Sequence, residues 1–547
     1  MATETRGYAD FPEHLARLDA AGLVRRIEAP VNKDTELHPL VRWQYRGGIP
    51  DEERKAFVFA NVTDSRGRKF DMPVVVGALA GSRAIYRAGL GVDADGVGPI
   101  WRRAIEKPIP PVEVAGAPCQ EIILKGDAIK GAGNGLDALP VPISTPGYDS
   151  APYITAGNFA TRDPDTGVQN LGTYRGGLKA ADRIGVRMST RSGGAGGYPH
   201  WLQYQARGEK MPCAIVLGCP PPVAYTGPQK LPAGTDELAV AGGLAGAPIR
   251  VTRCRSVDLL VPAESEIIIE GLIDTEYLEP EAPFGESHGH IALEDFNMIF
   301  DVTAITRKKD ALFASIISQV TPSESSAIKR DAYEQMFLSH LRNGLGIRGV
   351  ENVVMHEPLS NIRRVIFLVM APGTPKTEVW RALYGASSLR ADCGKYVMAV
   401  SEDINPDNGD AVFWSLAYRA NPAEDVVILA NRDGGHGPHF SRGQGGGARS
   451  SDGSMLVDAT LKQASAPLAL PKKQYMEHAK ELWQRLQLPP LNPETPWHGY
   501  SLGDWTDEWD RMAARATDGD YLSNGERSRQ MRAKGIKPNT PVRDVLT

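Results

Sequence analysis

Glu281-Ala-Pro-Phe-Gly-Glu286 sets two carboxylates five residues apart across a Pro-Phe-Gly turn. Pro283 fixes its own φ and gives up a backbone donor, and Gly285 can adopt backbone conformations closed to other residues. The segment cannot run on as a regular helix. It presents two acids from a tight loop, an arrangement suited to handling a proton. Read alone, the hexapeptide is more simply a solvated acidic turn, because turns and carboxylates are both common at surfaces.

Three further segments carry residue types with chemical potential. Asn170-Leu-Gly-Thr-Tyr-Arg175 combines an amide oxygen, a good ligand for a hard cation, with a guanidinium that can pin a carboxylate at two points. A turn asparagine and a strand arginine would look the same. Asp236-Glu237 opens an apolar helical stretch, where acids also complement the helix N-terminus. Lys395, in Asp392-Cys-Gly-Lys395, stands at the entry to a strand and could meet a phosphate or simply be solvated. Ser287-His288-Gly-His290 follows Glu286 directly, so either histidine could line a pocket or relay protons, or be an ordinary packed side chain.

These residues need a scaffold, and 547 residues are enough for two to four domains. With 42% apolar and 23% charged residues the composition is that of a globular protein. A net charge of −5 and no basic stripe argue against nucleic acid. No apolar run approaches the ~20 residues that span a bilayer, and the first residues lack a signal peptide's apolar core. The expectation is a cytoplasmic protein with no membrane partner. Five scattered cysteines form no Cys-x-x-Cys pair, so neither a zinc knuckle nor a disulfide framework is indicated.

The rhythm of the chain divides it into an N-terminal α/β domain (1–125), a β-rich region (126–325), a C-terminal α/β domain (326–470) and a tail (471–547). The first holds a helix from Phe11 to Gly22 with Leu15 and Leu18 on one face, and strands at 57–60 and 74–76. Short β-branched runs at 214–218, 248–252 and 266–270 predict a barrel or sandwich in the second. In the third, Tyr333, Met336, Phe337 and Leu341 share a helix face. Strands at 365–370, 396–400 and 426–430 then alternate with helices at 377–384 and 411–417, which predicts a parallel βαβαβ unit. The stretch Gly434–Gly447 reads as a loop. The tail predicts one helix, 475–486, with Trp497, Trp505 and Trp509 available to dock on another surface such as a second subunit.

Taken in order, Asn-x-Gly-x-Tyr-Arg, Glu237 before Ala-Val-Ala-Gly, Glu-x-Pro-Phe-Gly-Glu and Val457-Asp-Ala-Thr460 resemble the UbiD family of decarboxylases. The resemblance runs from about residue 10 to 470. It implies a multidomain α/β fold: an N-terminal α/β domain, a split β-barrel that binds flavin, and a C-terminal α/β domain. It implies prenylated FMN supplied by a flavin prenyltransferase, a divalent metal (Mn2+, with Fe2+ or Mg2+ as alternatives) and K+. Asn170 and Glu237 match the metal ligands. Asn170, Thr173, Arg175, Arg191, Glu237 and Lys395 fall at cofactor-binding positions, Lys395 at the lysine on the flavin phosphate. Arg175, Glu281 and Glu286 match the catalytic Glu-Arg-Glu network.

The implied reaction is reversible, non-oxidative loss of CO2 from an aromatic, heteroaromatic or α,β-unsaturated acid, or from an aromatic acyl-CoA such as phthaloyl-CoA. A homodimer or homohexamer is the expected assembly. An sp2 carbanion needs an electron sink, which the cofactor provides. Arg175 would orient the carboxylate and Glu286 return the proton, while Glu281 would hold Arg175 and raise the pKa of its fellow acid. One position departs from the family. Gap-free alignment puts Arg191 where a metal-binding histidine belongs, and arginine cannot ligate a metal. Either another group, such as nearby His200, completes the shell, or the arginine's charge serves the phosphate directly. The competing functions are an FMN reductase on the same barrel and a non-catalytic subunit of a multi-subunit carboxylase.

Overall fold

A computed structural model of the chain describes residues 6–190, 195–229, 231, 234–390, 393–433, 451–463, 466–491 and 505–545. Arg191, the 434–447 stretch and Trp497 lie outside the described residues. The chain forms two compact units, 1–399 with 425–458, and 400–424 with 459–547.

The first helix, Phe11–Ala20, is set by a capping box: Asp10 accepts from the Glu13 amide while Glu13 reaches back to the Asp10 amide. It buries Leu15 and Leu18, as their spacing predicts. Behind it stands a four-stranded sheet in the order Val24–Ile27, Ala56–Phe59, Val74–Val76, Phe313–Ser315. Its last strand comes from the end of the β-rich region, so the first two expected domains share one sheet.

A nine-stranded sheet carries the site. Its strands are β1 (Ile122–Lys125), β2 (Tyr153–Ile154), β3 (Asn158–Arg162), β4 (Gln169–Thr173), β5 (Arg175–Ala180), β6 (Arg183–Arg187), β7 (Met211–Leu217), β8 (Ile267–Glu281) and β9 (Asp295–Arg307). They are ordered β4-β3-β7-β8-β9-β6-β5-β2, with β1 also on β9, and every pairing is antiparallel. The sheet curls into a half-barrel. Alternation decides what each face does. On β7, Cys213, Ile215 and Leu217 enter one apolar cluster while Ala214 and Val216 enter another. Both faces are covered there, which explains the near-continuous apolar run. β8 extends 15 residues, far beyond the 266–270 run legible in the sequence, because its distal half lacks a continuous apolar run and is largely exposed between Glu276 and Pro280.

Helix α1 (Gly197–Arg207) packs near β3, and α2 (Glu237–Ala245) begins at Asp236, whose side chain accepts from the Leu238 amide. Helix α3 (Glu324–Ser339) starts at Ser323 and buries Tyr333 and Phe337, with Leu341 buried just beyond its end and Met336 half-covered.

The C-terminal sheet corrects one expectation. Its order is Val350–Met355, Val365–Met370, Tyr396–Ser401, Ser451–Ala459, Val426–Asp433. The last strand of the predicted βαβαβ unit does not lie beside its predecessor. Ser451–Ala459 intervenes and pairs antiparallel with Val426–Asp433. Leu456, Val457 and Ala459 are buried, and that burial draws the returning strand into the sheet. The tail forms helices Lys473–Arg485, Asp507–Thr517 and Tyr521–Gln530, none of which buries a side chain. Trp505 and Trp509 are roughly half exposed, with ring centroids 5.5 Å apart. Among the described residues no helix is long and apolar enough to cross a membrane.

Candidate active site

Arg175 opens β5, Glu281 closes β8, and Glu286 lies in the turn beyond it. Arg175 is buried, and its Nε and Nη2 donate to the two oxygens of Glu281 at 2.8 and 2.6 Å. Its Nη1 donates to Glu286 Oε1. The three ionic side chains singled out from sequence therefore form one cluster. Burial works against the guanidinium's charge, but Glu286 and then Glu281 outweigh it and raise the Arg175 pKa.

Two aromatic rings wall the cluster. The Arg175 guanidinium sits 4.8 Å from the Phe284 ring centroid, and Phe284 packs on Tyr153 at 4.2 Å. Burial, reinforced by the Glu281 charge, lifts the Tyr153 phenol well above its ordinary pKa and keeps it protonated. Tyr153 was not singled out from the sequence, and Phe284 was read only as part of the Pro-Phe-Gly turn. The bare backbone beneath them was equally unforeseen. Gly177 and Gly185 are cross-strand partners on the face that carries Arg175. A Cβ on Gly177 would stand 2.8 Å from the Tyr153 ring, and one on Gly185 would stand 3.3 Å from Glu281 Cγ. The glycine pair lets a ring and a carboxylate lie directly on the sheet.

The turn bearing Glu286 is held at several points. Phe284–Gly285 pairs antiparallel with Ile291–Ala292, the Glu286 amide donates to the His290 carbonyl at 3.0 Å, and the Gly289 amide donates to the Glu286 carbonyl at 3.0 Å. Gly289 has φ +90°, which only glycine adopts readily. The buried side of the turn is fixed by Asp149, which accepts the amides of Gly285 at 2.9 Å and Thr145 at 2.7 Å. Burial raises the Asp149 pKa. His288 and His290 lie at the tip with ring centroids 5.8 Å apart, and the His290 amide donates to His288 Nδ1 at 3.2 Å.

The expected cofactor residues divide into two groups. Asn170, Thr173 and Glu237 belong to or touch strand β4. Glu237 accepts the Leu171 amide at 3.0 Å, Thr173 Oγ1 donates to Asn158 Oδ1 at 2.6 Å, and Asn170 Nδ2 lies 3.4 Å from the Tyr174 hydroxyl. The Asn-x-Gly-x-Tyr-Arg spacing has a steric reason, since the Tyr174 ring folds back where a Gly172 Cβ would be, 2.2 Å from its hydroxyl. A Cβ on Gly196 would lie 1.9 Å from Asn170 Oδ1, so this oxygen also depends on a glycine. His200 sits close by: its Nδ1 is 3.0 Å from Thr161 Oγ1, Thr161 pairs with Asn170 across β3 and β4, and burial lowers its pKa.

Lys395 stands apart from that group. Its Nζ pairs with Asp452 at 3.0 Å within the C-terminal sheet. Among the described residues no three His, Cys, Asp or Glu side chains form a metal-binding set. Hard oxygens at Asn170 and Glu237 beside a glycine cradle do suit two positions of a divalent-cation shell. Burial pushes the Cys119 and Cys219 thiols up to about 12, which keeps both protonated. A cavity of about 350 Å3, lined by Trp101, Ile105, Leu231, Tyr333 and Met336, shares no lining residue with the ionic cluster.

Fold and site together define a carboxy-lyase. The chain matches the 3-octaprenyl-4-hydroxybenzoate carboxy-lyase family in its N-terminal domain (residues 15–104), its Rift-related domain (111–320) and its C-terminal domain (330–459). It belongs to this family, UbiD. Among solved structures it is similar to the UbiD-class enzyme HmfF from Pelotomaculum thermopropionicum in complex with FMN, at 27% identity and TM-score 0.72, over 85% of this chain and 96% of that one. An evolved dimeric form of HmfF in complex with prFMN matches at 27% identity and TM-score 0.71, over 84% and 97% of the two chains. The apo 3,4-dihydroxybenzoic acid decarboxylase AroY from Klebsiella pneumoniae, at 20% identity, shares the fold (TM-score 0.72) over 86% and 99%.

Proposed function

We propose that the protein removes CO2, reversibly and without net oxidation, from an aromatic, heteroaromatic or α,β-unsaturated carboxylic acid with prenylated FMN as its cofactor. The observation that carries this reading is the Arg175 guanidinium, buried and gripped by Glu281 while it touches Glu286. HmfF, the relative with FMN and prFMN complexes, supports the choice of cofactor. When bound, that cofactor supplies the electron sink that an sp2 carbon needs as its carboxylate leaves.

The chain's own residues do the rest. Arg175 keeps N–H capacity beyond its bonds to the two acids and orients the departing carboxylate. Glu281 fixes the guanidinium plane through its two-point contact. Glu286, in a turn held by Asp149 and His290, delivers a proton to the carbon that has lost CO2. Phe284 and Tyr153 exclude water from one side, which strengthens each ionic contact. Asn170 and Glu237 would hold a divalent metal, and with it the cofactor phosphate. His200 is the described side chain best situated to add a nitrogen ligand. A homo-oligomer belongs to the same reading, because the tail helices bury no side chain of their own.

The test is expression together with a flavin prenyltransferase, followed by CO2 release from a panel of aromatic and acrylic acids without nicotinamide. Turnover that requires the prenylated cofactor supports the reading. Activity only with NAD(P)H and plain FMN would make the protein a reductase, and no turnover in either assay would favour a non-catalytic subunit.

A further inference from the structure

In the β5–β6 hairpin, Arg175 and Arg187 are direct cross-strand partners. Opposed residues of an antiparallel pair stand on the same face with Cβ atoms ~4.5–5.5 Å apart, and like charges there repel unless each meets an anion. Arg175 meets two, with three of its nitrogens donating to Glu281 and Glu286. Arg187 is far less satisfied. Among the described residues its one carboxylate contact, Nη2 to Asp295 Oδ2, is 3.6 Å long, beyond hydrogen-bond reach. The Asp295 side chain is 65% exposed and neutralises weakly. Arg187 Nη1 is buried and has no hydrogen-bond partner among the described residues.

A buried donor without an acceptor is costly, and such an atom at a binding face calls for an acceptor brought by the ligand. The alternating positions fix what lies beside them. Val186 and Ile184 turn into the apolar cluster, while Arg187, Gly185, Gly177 and Arg175 share the site face, where the Tyr153 ring covers Gly177, and Lys179 and Glu281 cover Gly185. The two arginines are thus direct neighbours on adjacent strands of the site face, one held by two carboxylates and the other with a buried donor unmet.

We infer that Arg187 binds a second anionic group of the substrate, so that the substrate class is an aromatic dicarboxylic acid. Arg175 takes the carboxylate that leaves and Arg187 the one that stays. This rests on the decarboxylase reading for its chemistry, but not for its measurement. The experiment uses cofactor-loaded, full-length protein and three probes, the 1,2-, 1,3- and 1,4-benzenedicarboxylates, each compared with its monoamide. Binding is followed by flavin absorbance, and KM and kcat by CO2 release where it occurs.

At least one diacid binds about ten-fold or more tightly than its monoamide, the scale of a charge-assisted contact. Arg187→Gln brings that ratio close to one, through Kd and KM with flavin content retained, and Arg187→Lys restores part of it. Asp295→Asn, on an exposed side chain, moves the ratio the other way by a few-fold, since it removes the competing anion. A ratio near one for all three pairs in the unaltered protein, or a ratio indifferent to Arg187→Gln, overturns the inference. So does loss of flavin from both Arg187 variants, which would give Arg187 to the cofactor. If the binding ratios behave as stated and no acid loses CO2, the decarboxylase reading fails while the second anion site stands.

Discussion

Arg175 and Glu281 meet as a two-point fork, Nε to Oε1 at 2.8 Å and Nη2 to Oε2 at 2.6 Å, from residues 106 apart in the chain. The pair is buried, so its geometry is set by the sheet and not by solvent. Everything asked of Glu286 depends on this fork, because it fixes the guanidinium that Glu286 touches.

Glu281→Ala leaves a buried cation without its main partner. Breaking a buried pair from one side costs about 3–5 kcal/mol. Denaturant unfolding of the cofactor-free variant is expected to show a loss of that size, with unchanged dependence on denaturant concentration. A loss under about 1 kcal/mol would mean that the fork is solvent-screened.

Glu286→Gln keeps the size of the side chain and removes its transferable proton. Decarboxylation is expected to fall at least about a hundred-fold, the usual scale of general acid catalysis, with flavin content unchanged. The pH–rate profile tests the same point: residual turnover in the variant must lose the limb that belongs to the donor. Full turnover would remove Glu286 from the donor role.

Gly285→Ala places a methyl group 2.3 Å from Thr145 Oγ1 and 2.9 Å from Gln319 Cγ. The turn must shift, and the Gly285 bond to Asp149 goes with it. Activity is expected to drop by about a hundred-fold, as small displacements at a reacting centre do, while the flavin stays bound. Equal loss of flavin and activity would show a wider collapse.

His38 supplies a pH signature far from the chemistry. It is fully buried with Nε2 2.9 Å from Ser315 Oγ, and burial, aided by Arg42, lowers its pKa to about 3. The folded state favours the neutral ring, so this stability is complete above the unfolded pKa of about 6.5 and is lost progressively as pH falls toward 3. At pH 5 the loss is on the order of 2 kcal/mol. His38→Gln is expected to remove that part of the difference in unfolding free energy between pH 7.5 and pH 5.

Much of the fold was legible because local signals agreed with it. Leu15 and Leu18 share the buried face of the first helix, Asp236 caps the helix that the acidic pair opens, and the strand at 365–370 lies where its apolar run puts it. The ionic cluster followed from motif order, although 106 residues separate its arginine from its first acid. What the residues could not disclose was long-range pairing. Nothing in Val457-Asp-Ala-Thr460 said that it would slip between two earlier strands. Nor did Tyr153 or Asp149 differ from ordinary residues until the turn closed over them. Arg187 was out of reach for a related reason: counting back from the turn at Ala181-Asp182 sets Met188 against Arg175, and only the register shift between Leu178 and Ala180 brings Arg187 there.

That pairing ties catalysis to the alignment of the strands themselves. Slide β6 by a single residue and every side chain on it changes sides, so that Arg187 would point among Phe159 and Ile154 while Val186 faced the acids. The oily residues therefore act as proofreaders, since no misaligned sheet can be both stable and charged in the right place.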